Sequence, residues 1–282
     1  MAALTAGSAL AVGSATLAFT RADAPHLTVT TPHHPSASFL AEARQALVSY
    51  LRHAQPRVDL VATGRNGAVS TYNWSGYADA STIAGTFTRV SGSWTTPSVT
   101  CTAEDTIVSD WVGIDGYNDS TVEQDGTVGW CFKNVPTYFT WYEMYPAGTV
   151  EVGTSLVPGD KIAASVTRSG TTYTLKLTDS THTANSFSKT ATCPSTTCLA
   201  QSAEWVAERP SFLIGIAPQA DYHSFTMTAG SETANGKTGT ISSYPGGDNE
   251  MTMIDATATY KLSTPSALTS GTKFTTTWNN SY

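Results

Sequence analysis

Four short segments put groups capable of acid–base or oxyanion chemistry on faces shared with aromatic or aliphatic side chains. In a strand, successive side chains alternate faces. In DWVGIDGY (110–117) this puts Trp111, Gly113 and Asp115 together. In YFTWYEMYP (138–146) it groups Phe139, Trp141, Glu143 and Tyr145, and in SAEWVAERP (202–210) it groups Ser202, Glu204, Val206 and Glu208. The fourth segment, TVEQDGTVGW (121–130), carries an amide, Gln124, on the face of Val122, Val128 and Trp130, where the pattern asks for Val or Ile. An unpaired buried amide costs roughly 1–3 kcal/mol, so Gln124 needs a reason to be there. Carboxylates can move protons and an amide N–H can stabilise developing negative charge. A sheet lining a groove would give this mixture, with aromatics to hold an extended ligand and acids to act on it. So, on pattern alone, would the outward faces of half-solvated strands.

Other chemistries lack their residues. The chain has no HExxH, CxxC or clustered histidines for a metal and no GxSxG elbow. His223 lies beside Asp221 and Ser224, but near neighbours along a strand do not build a triad. Asp-Thr-Gly and Asp-Ser-Gly, the signature of a two-aspartate site, are absent. Neither a metal nor a cofactor is expected.

The elements that must hold these residues are short and numerous. Charged residues make up only 13% of the 282-residue chain, a composition that suits strands and tight turns more than helices or disorder. From about Ser70 onward, alternating segments such as GTFTRVSGSW, TTYTLKLTDS and HSFTMTAG are punctuated by Gly, Pro, Asn and Asp. That rhythm predicts an all-β fold, an antiparallel sandwich or barrel.

Before that body the pattern differs. Residues 1–24 begin with an uncharged Ala- and Leu-rich stretch and end in Ala22-Asp23-Ala24, the pattern of a secretory signal peptide. Residues 25–69 hold apolar positions at Leu40, Ala43, Leu47, Leu51 and Ala54 at helical spacing, with Ser38 as the expected N-cap and Pro56 beyond the end. This segment carries four Arg against Glu42 and Asp59, and four of the chain's six histidines fall before residue 54; the body from Ser70 to Tyr282 carries nineteen acidic and ten basic residues. The expected reading is a cleaved propeptide (25–69) held on an acidic catalytic domain (70–282), its grip weakening as histidines and carboxylates protonate in acid. A helix packed as part of the mature fold is the competing reading. The acidic body argues against nucleic-acid binding, and no segment suits a membrane span. Cys101, Cys131, Cys193 and Cys198 fit disulfides in an exported protein; CPSTTC closes a small local loop, and three pairings are open.

YNWSGY at Tyr72, SGSWTTPSV at Ser91, DWVGIDGY at Asp110, EQDG at Glu123, WYEMYP at Trp141 and AEWVAERP at Ala203, in that order, resemble the glutamic peptidases, or eqolisins. The resemblance implies a β-sandwich of two large antiparallel sheets and a secreted, monomeric, acid-active endopeptidase, insensitive to pepstatin, that acts on proteins or peptides. It further implies a propeptide acting as intramolecular inhibitor and a catalytic pair, Gln124 and Glu204. Trp111 and Asp115 match residues around the family's active site, and Trp141 and Glu143 match residues lining its cleft. The loop before Gln124 lacks a cysteine found in some fungal members, and Met144 stands where Trp is common. In the implied chemistry Glu204 takes a proton from water and returns it to the leaving amine, while Gln124 donates to the oxyanion without a charge to titrate. Trp111 and Asp115 are expected to fix that pair through an indole donor and a carboxylate acceptor. A carbohydrate-active or lectin-like sandwich is the competing reading, with Glu143 and Glu204 about 5–10 Å apart as paired carboxylates and Trp111 and Trp141 stacking sugars.

Overall fold

The computed structural model describes residues 35–51, 60–63, 68–103, 105–193, 196–212, 215–245 and 249–281. The expected signal segment, the rest of the basic stretch and its four histidines lie outside them.

Two antiparallel sheets pack face to face, as the alternation predicts. In the front sheet, neighbouring strands run Val150–Glu151, Val135–Tyr145, Val122–Phe132, Ile107–Ile114, Ser202–Glu208, Trp74–Ala80 and Asn249–Ile254. Lys261–Pro265 and Phe274–Trp278 continue it. A short parallel pairing of Val69–Thr71 on Asn249–Ile254 is the exception to its antiparallel order, and Leu60–Thr63 pairs with Val69–Thr71. The back sheet runs Phe187–Thr192, Thr172–Asp179, Lys161–Ser169, Phe87–Thr95, Ser224–Ala234 and Lys237–Thr240. Ser224–Ala234 joins the two: its first residues pair with Phe274–Trp278, and its later ones, past a register shift, with Phe87–Thr95.

The interior between the sheets collects Val108, Val112, Ile114, Ala203 and Trp205 from the front and Trp94, Ile162, Val166, Leu175, Leu177 and Phe225 from other strands. Burying a Val, Leu, Ile or Phe side chain contributes about 1.5–3 kcal/mol. This interior also holds acids. Glu123 and Asp125 stand opposite Ile114 and Val112, and so point inward with them. Burial pushes the Asp110, Glu123 and Asp125 carboxyls well above the usual range.

A second apolar cluster covers the outer face of the front sheet. It contains Trp74, Trp111, Val128, Trp130, Phe139, Trp141 and Val206 together with Ala43 and Leu47. Those last two belong to a helix, Ala37–Leu51, laid on that face. The helix begins one residue before the predicted N-cap: the Ser36 hydroxyl, not Ser38, accepts the Phe39 N–H at 3.2 Å. Phe39 packs against Phe132 with ring centroids 5.4 Å apart. Arg44 pairs with Glu151 in the sense expected for a basic segment on an acidic body, whereas Lys133–Glu42 runs the opposite way. With both faces covered, the Ile107–Ile114, Val122–Phe132 and Ser202–Glu208 strands are buried along their whole length.

The cysteines pair as Cys101–Cys131 and Cys193–Cys198. The first closes a 30-residue separation, for which a chain-entropy account gives about 3–4 kcal/mol of stabilisation.

Candidate active site

The register of four ladders aligns the predicted residues. Glu204 is paired with Ala78 on one side and Gly113 on the other; Gly113 is paired with Gln124, and Gln124 with Glu143. Ala78, Glu204, Gly113, Gln124 and Glu143 therefore form one row across the outer face. Strands lie about 4.8 Å apart, so the Gln124 and Glu204 backbones are about 10 Å apart, with their side chains on the same side. Between them Gly113 contributes no side chain. A Cβ there would lie 2.8 Å from the Trp111 ring and 3.2 Å from Gln124 Cβ, too close for either to stay in place. The missing side chain makes room for the Trp111 ring, between the strands that carry the amide and the carboxyl.

The adjoining row explains the aromatics. Val206, Trp111, Gly126, Trp141 and Glu151 are successive partners in it. The indoles of Trp111 and Trp141 flank Gly126, where a Cβ would sit 2.2 Å from the Asp110 carbonyl oxygen. Trp111 is pinned by its indole N–H, which donates to Glu208 Oε2 at 2.9 Å, and by the edge of Trp74, 4.8 Å away between centroids. Burial raises the Glu208 carboxyl to about 8, against the hydrogen bond from Trp111.

Gln124 has its partner. Its Nε2 donates to Glu143 Oε2 at 2.8 Å, and Thr149 donates to Glu143 Oε1 at 2.8 Å. Burial raises Glu143 to about 7, with these hydrogen bonds opposing. The clamp fixes which end of the amide is the donor and uses one of its two N–H groups. The misplaced amide of the sequence is thus tied to a buried carboxyl on the next strand.

Glu204 is buried to 0% exposure, and burial pushes its carboxyl well above the ordinary range, with the charges of Asp115, Asp119 and Glu123 adding to it. Tyr117 stands close enough for Glu204 to contribute to raising its hydroxyl to about 12, after burial. Asp115 does not bond the pair directly, as the sequence reading expects. Its φ of 72° turns it out of the strand's alternation, and its two oxygens accept the Ala200 and Gln201 N–H groups, each at 2.7 Å. It thereby ties the end of one strand to the chain entering the Glu204 strand. Burial and Asp119 raise its carboxyl to about 8. Trp111 likewise bonds Glu208 rather than Gln124 or Glu204. Glu143 and Glu204 stand three strands apart, about 14 Å between backbones.

Gly113, Thr149, Glu208 and Tyr117 were not singled out as site residues from the sequence. Their roles come from cross-strand pairing and loop folding, which spacing along the chain does not encode. A cavity of about 650 Å³ opens elsewhere, lined by Trp94, Lys161, Thr178 and Thr226 of the back sheet; the helix packs into the apolar cluster that holds Trp111 and Trp141 of the adjoining row.

Comparison with known proteins agrees with this geometry. Residues 72–278 match the family model of the Peptidase A4 family, a span that contains every residue of both rows. Aspergillopepsin-2 of Aspergillus niger is 26% identical over an alignment covering 69% of this chain and 78% of that relative. Among solved structures, scytalido-glutamic peptidase bound to a transition-state analogue inhibitor superposes with a TM-score of 0.61 at 23% identity, over 74% of this chain and 98% of that one. The aspergilloglutamic peptidase of Aspergillus niger does so with a TM-score of 0.53 at 24% identity, over 62% and 99%. SCP-B, an eqolisin in complex with the tripeptide Ala-Ile-His, gives a TM-score of 0.58 at 23% identity, over 74% and 98%. With its sandwich fold and its buried amide–carboxyl row inside the matched span, this chain belongs to the Peptidase A4 family, the glutamic peptidases, and is a peptide hydrolase.

Proposed function

We propose that the chain is an exported, acid-active endopeptidase in which Glu204 and Gln124 carry the reaction. The observation that supports it is their placement in one row on either side of Gly113. A substrate peptide lying over this row presents its carbonyl to both. Glu204, as carboxylate, takes a proton from water; the hydroxide equivalent forms a bond to the carbonyl carbon, and the electron pair of the C=O moves to oxygen. The free N–H of Gln124 donates to that oxyanion, an interaction worth about 3–4 kcal/mol when lost from a comparable site. Glu204 then gives its proton to the amide nitrogen as the C–N bond breaks.

A buried Glu204 is a poor base in acid, because burial holds it protonated. Water must reach it for the mechanism to run. The segment that includes the helix Ala37–Leu51 then acts as an inhibitory prosegment: it seats Ala43 and Leu47 in the same apolar cluster as Trp111 and Trp141, where substrate would lie. Removing it opens the face, returns Glu204 toward the ordinary carboxyl range and creates the working cleft. Residues 1–24 serve as export signal in this reading. Acid incubation of the full-length protein, followed by cleavage of casein and mass spectrometry of the processed chain, tests it. The expected result is loss of the helix segment with gain of pepstatin-resistant activity; an intact chain that cleaves at full rate contradicts the inhibitory role.

A further inference from the structure

The outer face of the back sheet carries cations and hydroxyls on an otherwise acidic chain. Between Ser70 and Tyr282 acidic residues outnumber basic ones nineteen to ten. Two cavities nonetheless open on this face, of about 650 and 270 Å³, and no carboxylate lines either among the described residues. They share Ser93, Ala163 and Thr178 and so run together. We propose that this face binds an extended polysaccharide that carries sulfate esters. It lies apart from the catalytic row and goes beyond the peptidase reading; only the choice of sulfate over carboxylate rests on that reading.

Strand alternation builds the face in rows. Thr178, Ala163, Ser93 and Thr228 are successive partners in one of them. The next row holds Lys176, Ser165, Ser91 and Ser231, and the one beyond it Thr174, Thr167, Arg89 and Thr233. On the other side Lys161 is partnered with Thr95, and its Nζ donates to the Thr95 hydroxyl at 2.8 Å. Lys161 and Lys176 are exposed and Arg89 is half-buried. Among the described residues none of the three is paired with a carboxylate. The acids that adjoin this face in sequence, Asp160 and Asp179, are buried instead, bonded to His182 and Asn185.

Spacing and chemistry select the ligand. Strands lie about 4.8 Å apart and residues advance about 3.3 Å along them, so the Lys176 backbone stands about 14 Å from that of Lys161 and about 12 Å from that of Arg89. A single small anion does not span such distances, whereas a chain with repeated anionic groups does. The Thr228 hydroxyl donates to the Ser93 carbonyl at 2.8 Å and the Ser231 hydroxyl to the Gly239 carbonyl at 2.7 Å, which leaves their oxygens to accept from sugar hydroxyls. Nucleic acid fits less well, because base stacking needs exposed rings. Trp94, the one aromatic residue in either lining among the described residues, is 3% exposed, and its indole N–H donates to Thr127. Carboxylate polymers lose charge near pH 4, in the acid range where the peptidase is proposed to act, and sulfate esters do not.

The test titrates full-length protein with dextran sulfate at pH 7, where the formal net charge of −7 makes the molecule as a whole repel a polyanion. Neutral dextran, polygalacturonate and oligodeoxythymidylate are the other arms. Dextran sulfate is expected to bind most tightly of the four. Replacing Arg89, Lys161 and Lys176 together by Ala should weaken that binding roughly tenfold or more. Replacing Lys261 and Lys273, two exposed lysines outside this face, should change it by less than about twofold. If thermal unfolding shows the triple variant to be unfolded, Lys176→Glu takes its place. Binding no tighter than that of neutral dextran, a preference for polygalacturonate or the oligonucleotide, or equal loss in the two sets of variants overturns the proposal. Casein cleavage by the wild type separates the two readings: binding without cleavage at any pH overturns the peptidase reading alone, and cleavage without binding overturns this face alone.

Discussion

Gln124 and Glu204 are both register partners of Gly113, one on each side, so the amide and the carboxyl stand in one row on either side of a residue with no side chain. Their spacing is set by the sheet itself, because Gly113, Gln124 and Glu204 are fixed by main-chain pairing on strands buried along their whole length.

Gly113→Ala tests that spacing. The added Cβ would meet the Trp111 ring at 2.8 Å and Gln124 Cβ at 3.2 Å. Overpacking of this kind costs about 1–3 kcal/mol of stability, within reach of a folded sandwich. A displacement of about 1 Å in the reacting groups costs roughly a hundredfold in rate. The expected outcome is a chain with a lowered but cooperative thermal transition and kcat/KM down by about that factor. A variant that keeps wild-type activity contradicts the placement of substrate across Gly113.

Glu143 is expected to act by holding Gln124. Its carboxyl is raised to about 7, chiefly by burial, so in acid it is neutral and still accepts the Gln124 N–H at one oxygen. Glu143→Gln keeps a neutral acceptor of the same shape and should retain most of the acid activity. Glu143→Ala frees the amide to turn and should lower kcat roughly ten- to a hundredfold with little change in KM. Equal loss in the two variants would show that the clamp is not what matters.

Stability should fall as pH rises. Burial raises Asp115 and Glu208 to about 8 and Glu143 and Glu232 to about 7, and it pushes Glu204, Asp110, Glu123 and Asp125 upward as well. A carboxyl with a folded-state pKa above its unfolded value holds its proton longer when folded. The folded state then binds more protons than the unfolded one, and stability declines with pH between the two values. For these groups the window runs from the ordinary carboxyl values of 3.8 and 4.5 to about 8. Asp255, lowered to about 2 by the Thr257 hydroxyl and backbone N–H groups, works in the other sense, adding stability that is lost only below its ordinary value. Thermal unfolding of the full-length protein across pH 3–8 should show its highest Tm in the acid half of the range, with the loss concentrated above it. A Tm that climbs from pH 5 to pH 8 would contradict the burial of these acids.

The helix should be separable from the sandwich. Leu47 is fully buried in the cluster that holds Trp111 and Trp141. Leu47→Ala removes about 2–5 kcal/mol from such a contact, without touching the sheet. The expected result is faster loss of the segment on acid incubation, followed by intact-mass measurement, with the Tm of the processed chain unchanged. Processing at the wild-type rate would show that this contact does not hold the segment down.

Much of this was readable from alternation alone. The period of two placed Trp111 with Gly113, Trp141 with Glu143, and Glu204 with Glu208 on common faces, and the structure keeps those faces. The spacing of Leu40, Ala43 and Leu47 placed the helix, and CPSTTC its local disulfide. Which strands adjoin was not readable. Gln124 meets Glu143 across a hairpin, but it meets Glu204 only through Gly113 of an intervening strand, and pairings between residues so distant in sequence leave no periodic trace. The inward turn of Glu123 and Asp125 also escaped, since the sequence face with Val122, Val128 and Trp130 looks like the core and is instead the outer face under the helix. Asp115 left its predicted role because a single residue of positive φ redirects its carboxylate to the Ala200 and Gln201 amides.

The most direct test of the central claim is the rate of casein cleavage in acid by processed full-length protein, compared with Glu204→Gln and Gln124→Ala variants shown by circular dichroism and thermal unfolding to be folded. Removing the general base should lower kcat by roughly 10²–10⁴, and removing the oxyanion donor by roughly 10²–10³. A folded variant of either residue that cleaves at the wild-type rate contradicts the account.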